Sequence, residues 1–204
     1  MTADKRSATA RTEIRITGFG GQGVVLAGHI IGHACAINAG LNATMIQSFG
    51  PEARGSACSA TLAVSPGEVL YPYIRRPDVL VAMSSEGYDK YSDELEDDGV
   101  LIYEQDLVRP RVKTGQRSYG VPSTRIAESL GRAIVQNIVM VGFFGAVTEL
   151  VPREALHEAV LHSVPPGTEK LNLAAFDQGF EYFKAAVRQP VLEVHRPPLE
   201  GVPA

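Results

Sequence analysis

What this sequence has little of narrows it before any motif is read. Among its 204 residues only Cys35 and Cys58 are cysteines. Two thiols cannot ligate a four-thiolate iron–sulfur cluster. Both lie in apolar or small-residue stretches, which suits buried thiols in a reducing compartment better than a disulfide. A basic excess is missing as well. The formal net charge is −4, and no run of Lys and Arg forms a stripe, so nucleic acid is not an expected partner. The polar opening residues, with Lys5, Arg6 and Arg11, lack the apolar centre of a secretory signal. The uncharged run 133–148 contains Gln136 and Asn137 and falls short of the roughly 20 apolar residues that cross a bilayer. A cytoplasmic protein without a membrane segment is therefore expected. There is no Gly-x-Ser-x-Gly nucleophile elbow.

What is present centres on Gly18-Phe19-Gly20-Gly21-Gln22-Gly23. An alternating run, Glu13-Ile14-Arg15-Ile16-Thr17, leads in, and a long apolar stretch leads out. That order predicts a strand, a glycine turn and a helix. Four glycines in six residues let the backbone bend tightly and let another group come close. The amides that open the next helix are unpaired and carry positive dipole, so a phosphate, pyrophosphate or carboxylate suits them. The spacing also fits the Gly-x-Gly-x-x-Gly dinucleotide fingerprint. That fingerprint needs an acid about 20 residues on, for a ribose hydroxyl. No Asp or Glu stands between Glu13 and Glu52, and no Arg between Arg15 and Arg54. The turn is right for a Rossmann-like β-α unit and wrong for ordinary NAD binding. The alternative is a tight structural turn without a ligand.

Along the chain, residues 24–38 read as the first helix, with Gly40 as its C-cap. Residues 44–47 read as a short strand, and 57–64 as a strand with Cys58, Ala60, Leu62 and Val64 on one face. Residues 78–83 form a near-continuous apolar strand suited to a sheet covered on both faces. A helix over 88–95 and strands over 99–103 and 117–121 follow. Ser123 is placed to cap one long helix from Thr124 towards Leu150, whose small residues Ala127, Gly131, Gly142 and Gly145 permit close packing. Helices over 152–163 and 171–188 complete the pattern. The alternation predicts an α/β domain: an open, mostly parallel Rossmann-like sheet flanked by helices. A C-terminal helical segment and an extended tail close it. The expected division is a flexible arm over 1–12, one domain over 13–188 and a Pro-rich tail over 189–204.

Between two of these strands lies Ser48-Phe49-Gly50-Pro51-Glu52-Ala53-Arg54-Gly55-Ser56. Glu52 and Arg54 could form a plain surface ion pair of little energetic value. The flanking glycines favour more, because Arg suits bidentate contact with phosphate or carboxylate. A loop after the second strand of an open sheet also lies at the carboxyl edge, where ligands sit. His29 and His33 share a helix face at i and i+4, but no third ligand is near in sequence, so packing is the simpler role. The acidic cluster Asp93, Glu94, Glu96, Asp97 and Asp98 reads as a solvated face.

Together, the glycine run, the Pro51–Gly55 loop, the segments Tyr71-Pro72-Tyr73-Ile74 and Pro77-Asp78-Val79-Leu80-Val81-Ala82, and Asn137 with Gly142 resemble the gamma subunit of the 2-oxoacid:ferredoxin oxidoreductases, above all the 2-oxoglutarate type. The likeness covers roughly residues 13–185. It implies a multi-subunit enzyme that oxidatively decarboxylates a 2-oxoacid with coenzyme A, giving acyl-CoA, carbon dioxide and reduced ferredoxin. Thiamine diphosphate with magnesium, and 4Fe–4S clusters, then belong to partner subunits, and this chain alone binds no cofactor. It is expected to be an accessory subunit, inactive by itself, that closes the catalytic site. The residues so implicated for coenzyme A or partner contact are Gly18, Gly20, Gly21, Gln22, Gly23, Glu52, Arg54 and Gly55. Ser56 stands where many relatives have a second glycine, which tightens that loop. The rival readings are a free-standing nucleotide-binding oxidoreductase and a purely structural scaffold subunit.

Overall fold

The computed structural model describes residues 11–48 and 57–188. Six strands form one open sheet in the order β2-β3-β1-β4-β5-β6. β1 (Thr12–Phe19) is central, parallel to β4 (Val79–Ala82) and antiparallel to β3 (Ala57–Ser65). β5 (Val100–Glu104) and β6 (Arg117–Val121) continue the parallel half. β2 (Asn42–Ser48) pairs antiparallel with β3, so only β3 runs against the rest. The expected mostly parallel sheet is present.

Strand alternation sorts the side chains onto two unequal faces. Ile14 and Ile16 of β1, Val79 and Val81 of β4, and Ala60 and Leu62 of β3 enter the main core. Five helices supply the rest of that side: α1 (Val24–His33), α3 (Ser123–Ser129), α4 (Gln136–Thr148), α5 (Arg153–Ser163) and α6 (Glu169–Arg188). The other face carries a small cluster of Leu80, Ala82, Leu101 and Leu95 under one short helix, α2 (Ser85–Tyr91). There Arg15 lies over the Tyr91 ring at 4.2 Å and pairs with Glu94 at 2.8 Å.

Three sequence expectations need revision. The long helix from 124 to 150 is two helices. Gly131, at φ 90°, ends α3, with Arg132 N–H bonded to Ala127 O and Gly131 N–H to Glu128 O, a Schellman closure. Ser123 does not cap that helix through its side chain; its hydroxyl donates to Glu104 instead. The 88–95 helix starts earlier, at Ser85, because Ser84 Oγ accepts from Gly87 N–H. The acidic cluster is the solvated face expected, with Asp93, Asp97 and Asp98 exposed, and it carries ion pairs of Asp93 with Lys113, Glu94 with Arg15, and Glu96 and Asp97 with Arg76. The first helix does reach Asn38, its last turn widened to π over Ala34–Asn38, and Gly40 follows at φ 67°.

Cys35 is fully enclosed, and burial pushes its thiol up to about 12. An unfolded thiol ionises near 8.5, so between those values the folded chain holds one proton more. Stability from this group is complete below about pH 8.5 and falls by about 1.4 kcal/mol per unit as pH rises through the window. Urea midpoints at pH 8 and pH 10 are expected to fall more for wild type than for Cys35→Ala. Equal shifts would show that the thiol is hydrated in the native state.

Candidate functional site

The parallel strands end together at one edge, and the glycine turn opens it. Gln22 N–H bonds Phe19 O at 3.1 Å, and Gly21 has φ 100°, a type II turn that demands glycine in that place. Gln22 folds back over the turn. Its Oε1 accepts from Phe19 N–H at 2.7 Å and its Nε2 donates to Met83 O at 3.0 Å, joining the ends of β1 and β4. A Cβ at Gly18 would lie 2.6 Å from that Oε1, so Gly18 makes room for the Gln22 amide.

Gly23 caps α1 with φ 75° and ψ 23°. Asn137, buried at the start of α4, donates through Nδ2 to Gly23 O at 3.3 Å. A Cβ at Gly23 would lie 2.7 Å from Asn137 Cγ. The α1 N-terminus has no side-chain cap and no acid in its first turn. Gly20 and Gly21 are exposed, and a Cβ built at Gly21 meets nothing within 4 Å. The turn is thus rigid underneath and open above, with amides of positive dipole at its end.

Glu52, Arg54 and Gly55 lie outside the described residues. Their anchors do not. Ala57, where β3 begins, is in register with Phe19, and Ser48, where β2 ends, with Ser59. The flanks of the 49–56 segment, the end of β2 and the start of β3, therefore stand at the edge where β1 enters the glycine turn. Met83 and Ser84, after β4, border the same edge.

Two features of this region were not singled out from sequence. Glu104 ends β5 fully buried and accepts from Ser123 Oγ, Thr124 N–H at 2.9 Å and Asp106 N–H at 3.1 Å. A charged residue closing an apolar strand was the available signal. The other is the fold of the Gln22 amide onto the main chain, which sequence carries no mark of.

Elsewhere, His33 lies 6.2 Å from His29 and 6.1 Å from His162, ring to ring. Among the described residues no group of three His, Cys, Asp or Glu is arranged to hold a metal ion. With Cys35 in the core and Cys58 nearly buried on β3, the donor set does not fit an iron–sulfur cluster. A cleft of about 760 Å³ opens at the opposite edge, between Thr12, Asp78, Val100 and the end of α4. It lies at the amino ends of the parallel strands, away from the glycine turn. No described helix is long and apolar enough to cross a membrane.

These features define an open α/β domain of Rossmann-like type whose carboxyl edge carries a glycine turn and the two strand ends that flank residues 49–56. The profile of the family "Pyruvate ferredoxin/flavodoxin oxidoreductase" matches residues 13–182. The 2-oxoglutarate synthase subunit KorC of Methanocaldococcus jannaschii is 43% identical over 186 residues, covering 89% of this chain and 98% of that one. The KorC subunit of Methanothermobacter marburgensis is 46% identical over 178 residues, covering 84% and 96%. Among solved structures, the gamma subunit of a keto/oxoacid ferredoxin oxidoreductase from Geobacter sulfurreducens superposes with a TM-score of 0.79 at 39% identity, covering 87% of this chain and 99% of that one. The chain belongs to the pyruvate ferredoxin/flavodoxin oxidoreductase family, with the gamma subunits of the 2-oxoacid:ferredoxin enzymes.

Proposed function

We propose that this chain is the gamma component of a CoA-acylating 2-oxoacid:ferredoxin oxidoreductase, with 2-oxoglutarate as the favoured substrate. In that assembly the partner subunits hold thiamine diphosphate and the iron–sulfur clusters. The 2-oxoacid loses carbon dioxide, its acyl group passes to coenzyme A, and the electrons leave to ferredoxin. This chain closes the catalytic site from one side. The glycine turn offers the open amides of Gly20, Gly21 and the start of α1 to a phosphate of coenzyme A, while Gln22 and Asn137 keep the turn in shape. Arg54 supplies the matching cation from the adjacent loop.

The observation that supports this reading is the register of Phe19 with Ala57, which sets the residue that follows the 49–56 segment beside the end of β1 that enters the glycine turn. The substrate preference is supported by the relatives named 2-oxoglutarate synthase subunits. A scaffold role is the second reading, favoured by the inward engagement of the Gln22 amide.

The test is the coenzyme A dependence of acyl-CoA formation by the assembled enzyme, alongside the CoA-independent decarboxylation half-reaction. Arg54→Lys keeps the charge and loses the planar fork. Loss of a charge-assisted contact is worth about 1.5–3 kcal/mol, so the KM for coenzyme A is expected to rise roughly ten- to a hundredfold. The half-reaction should survive. Collapse of both, with dissociation on gel filtration, makes Arg54 an assembly residue. No change in either leaves Arg54 in a surface ion pair.

A further inference from the structure

The carboxyl edge is laced by side-chain hydrogen bonds that join three helix starts to the ends of β1, β4 and β5. Glu104, which ends β5, accepts from Thr124 N–H of α3 at 2.9 Å. The Thr124 hydroxyl stands 2.9 Å from Gln136 Oε1 and 3.3 Å from Glu104 Oε2. A hydroxyl has one proton to give, and the shorter contact takes it to Gln136. Gln136 opens α4, and its neighbour Asn137 donates to Gly23 O, where α1 begins. Gln22, one residue earlier, joins Phe19 of β1 to Met83 beyond β4.

The two ends of α4 are held by different means. Its middle is clamped to α6 at Gly142, main chain against main chain. Its first turn has no side-chain N-cap and no acid, and the 131–134 connection before it is exposed along its length. Besides the buried Val135, what seats this turn is one bond from each of two adjacent side chains, Gln136 to α3 and Asn137 to α1. Gly23 has no slack against that turn: a Cβ built on it would lie 2.4 Å from Asn137 Nδ2. A displaced α4 turn therefore displaces Gly23, whose φ of 75° sets where the first amides of α1 point.

We propose that Thr124 and Gln136 are positioning residues for the glycine-turn site. Through Asn137 they fix the direction of the α1 amides, without touching a ligand themselves. This rests on the reading of that turn as the place where a phosphate of coenzyme A binds. Donors that are already aimed need no rearrangement when the anion arrives, and they stay aimed only while the groups behind them are held. Loosening the Thr124–Gln136 bond therefore weakens coenzyme A binding and leaves the chemistry on the partner subunits as it was. A chain of bonds couples two places only if its members act as one, so the test is a set of double variants.

The experiment is the KM for coenzyme A of the enzyme assembled from all its subunits, measured beside kcat and the CoA-independent decarboxylation half-reaction. Thr124→Val keeps the shape and loses the hydroxyl. It is expected to raise KM by about three- to tenfold, with kcat and the half-reaction unchanged. Thr124→Ser keeps the hydroxyl and should return KM to the wild-type value. Gln136→Met removes the acceptor and should match Thr124→Val, with the double variant no worse than either alone. Asn137→Ala should raise KM at least as far, and adding Thr124→Val to it should change nothing more. Ser129→Ala removes a hydroxyl that bonds only within α3 and should leave KM alone. A raised KM for Asn137→Ala with none for Thr124→Val, or effects of the two that add, overturns the proposal and spares the reading of the turn. So does a loss of thermal stability in Thr124→Val at unchanged KM, which makes the bond a structural one. A KM unmoved by every variant, Asn137→Ala included, overturns both. Should Asn137→Ala not assemble, the Thr124 and Gln136 variants decide the proposal by themselves.

Discussion

Gly142→Ala is expected to lower stability by about 4 kcal/mol, a loss that few single substitutions reach. α4 and α6 pass with their main chains in contact. A Cβ on Gly142 would collide with the carbonyl oxygen of Phe176 and lie 2.9 Å from its carbon. A Cβ on Gly179 would collide in the same way with Val139 O and lie 3.1 Å from Phe143 N. All these atoms are backbone, so no rotamer relieves the overlap and the helices must separate. Separation would uncover Phe143, Phe144 and Phe176, which are among the largest fully buried side chains. Gly145 provides the contrast. Its Cβ would meet Leu156 Cδ1 at 2.5 Å, the movable end of a side chain. There the helix-propensity gain of about 0.5–1 kcal/mol from alanine offsets much of the strain. Urea unfolding followed by circular dichroism measures both. A Gly142→Ala midpoint close to that of Gly145→Ala would show that the α4 and α6 main chains are not in contact in solution.

Glu104→Ala is expected to cost about 3 kcal/mol. The fully buried carboxylate ties the end of β5 to the turn at Asp106 and to the start of α3 at Ser123 and Thr124. Its removal orphans several donors at once, each a bond to a charged acceptor worth about 1.5–3 kcal/mol, and leaves a cavity. Glu104→Gln keeps the volume but turns an NH₂ group towards one set of donors. The Ser123 hydroxyl can rotate to adapt, whereas the Thr124 backbone N–H cannot, so about half the loss should remain. Hydrogen exchange should place the loosening in α3. A uniform loss of protection across the sheet with α3 unaffected would refute the capping role.

Several elements were legible in the sequence because they depend on local chemistry. The apolar run of β4, the alternation along β3 and the glycines between β1 and α1 each fix a conformation within a few residues. Gly21 and Gly23 had to be glycine because their backbones take positive φ. The likeness carried by the glycine run, the Pro51–Gly55 loop and Asn137 pointed to the family that the comparisons establish.

Other features were set by contacts between residues far apart in sequence. The direction of β3 was decided by pairing across the sheet, because a strand's own residues satisfy either orientation. The break between α3 and α4 turned on Gly131 adopting the left-handed form, a choice glycine permits but does not dictate. Asn137 meets Gly23 from 114 residues away. The Gln22 amide finds Met83 from 61 residues away. The sequence by itself determined that a strand, an anion-ready glycine turn and a helix stand together. Only the tertiary structure decided what braces that turn and in which order the strands stand in the sheet, because hydrogen bonds across the fold are specified by where the packed core puts their partners.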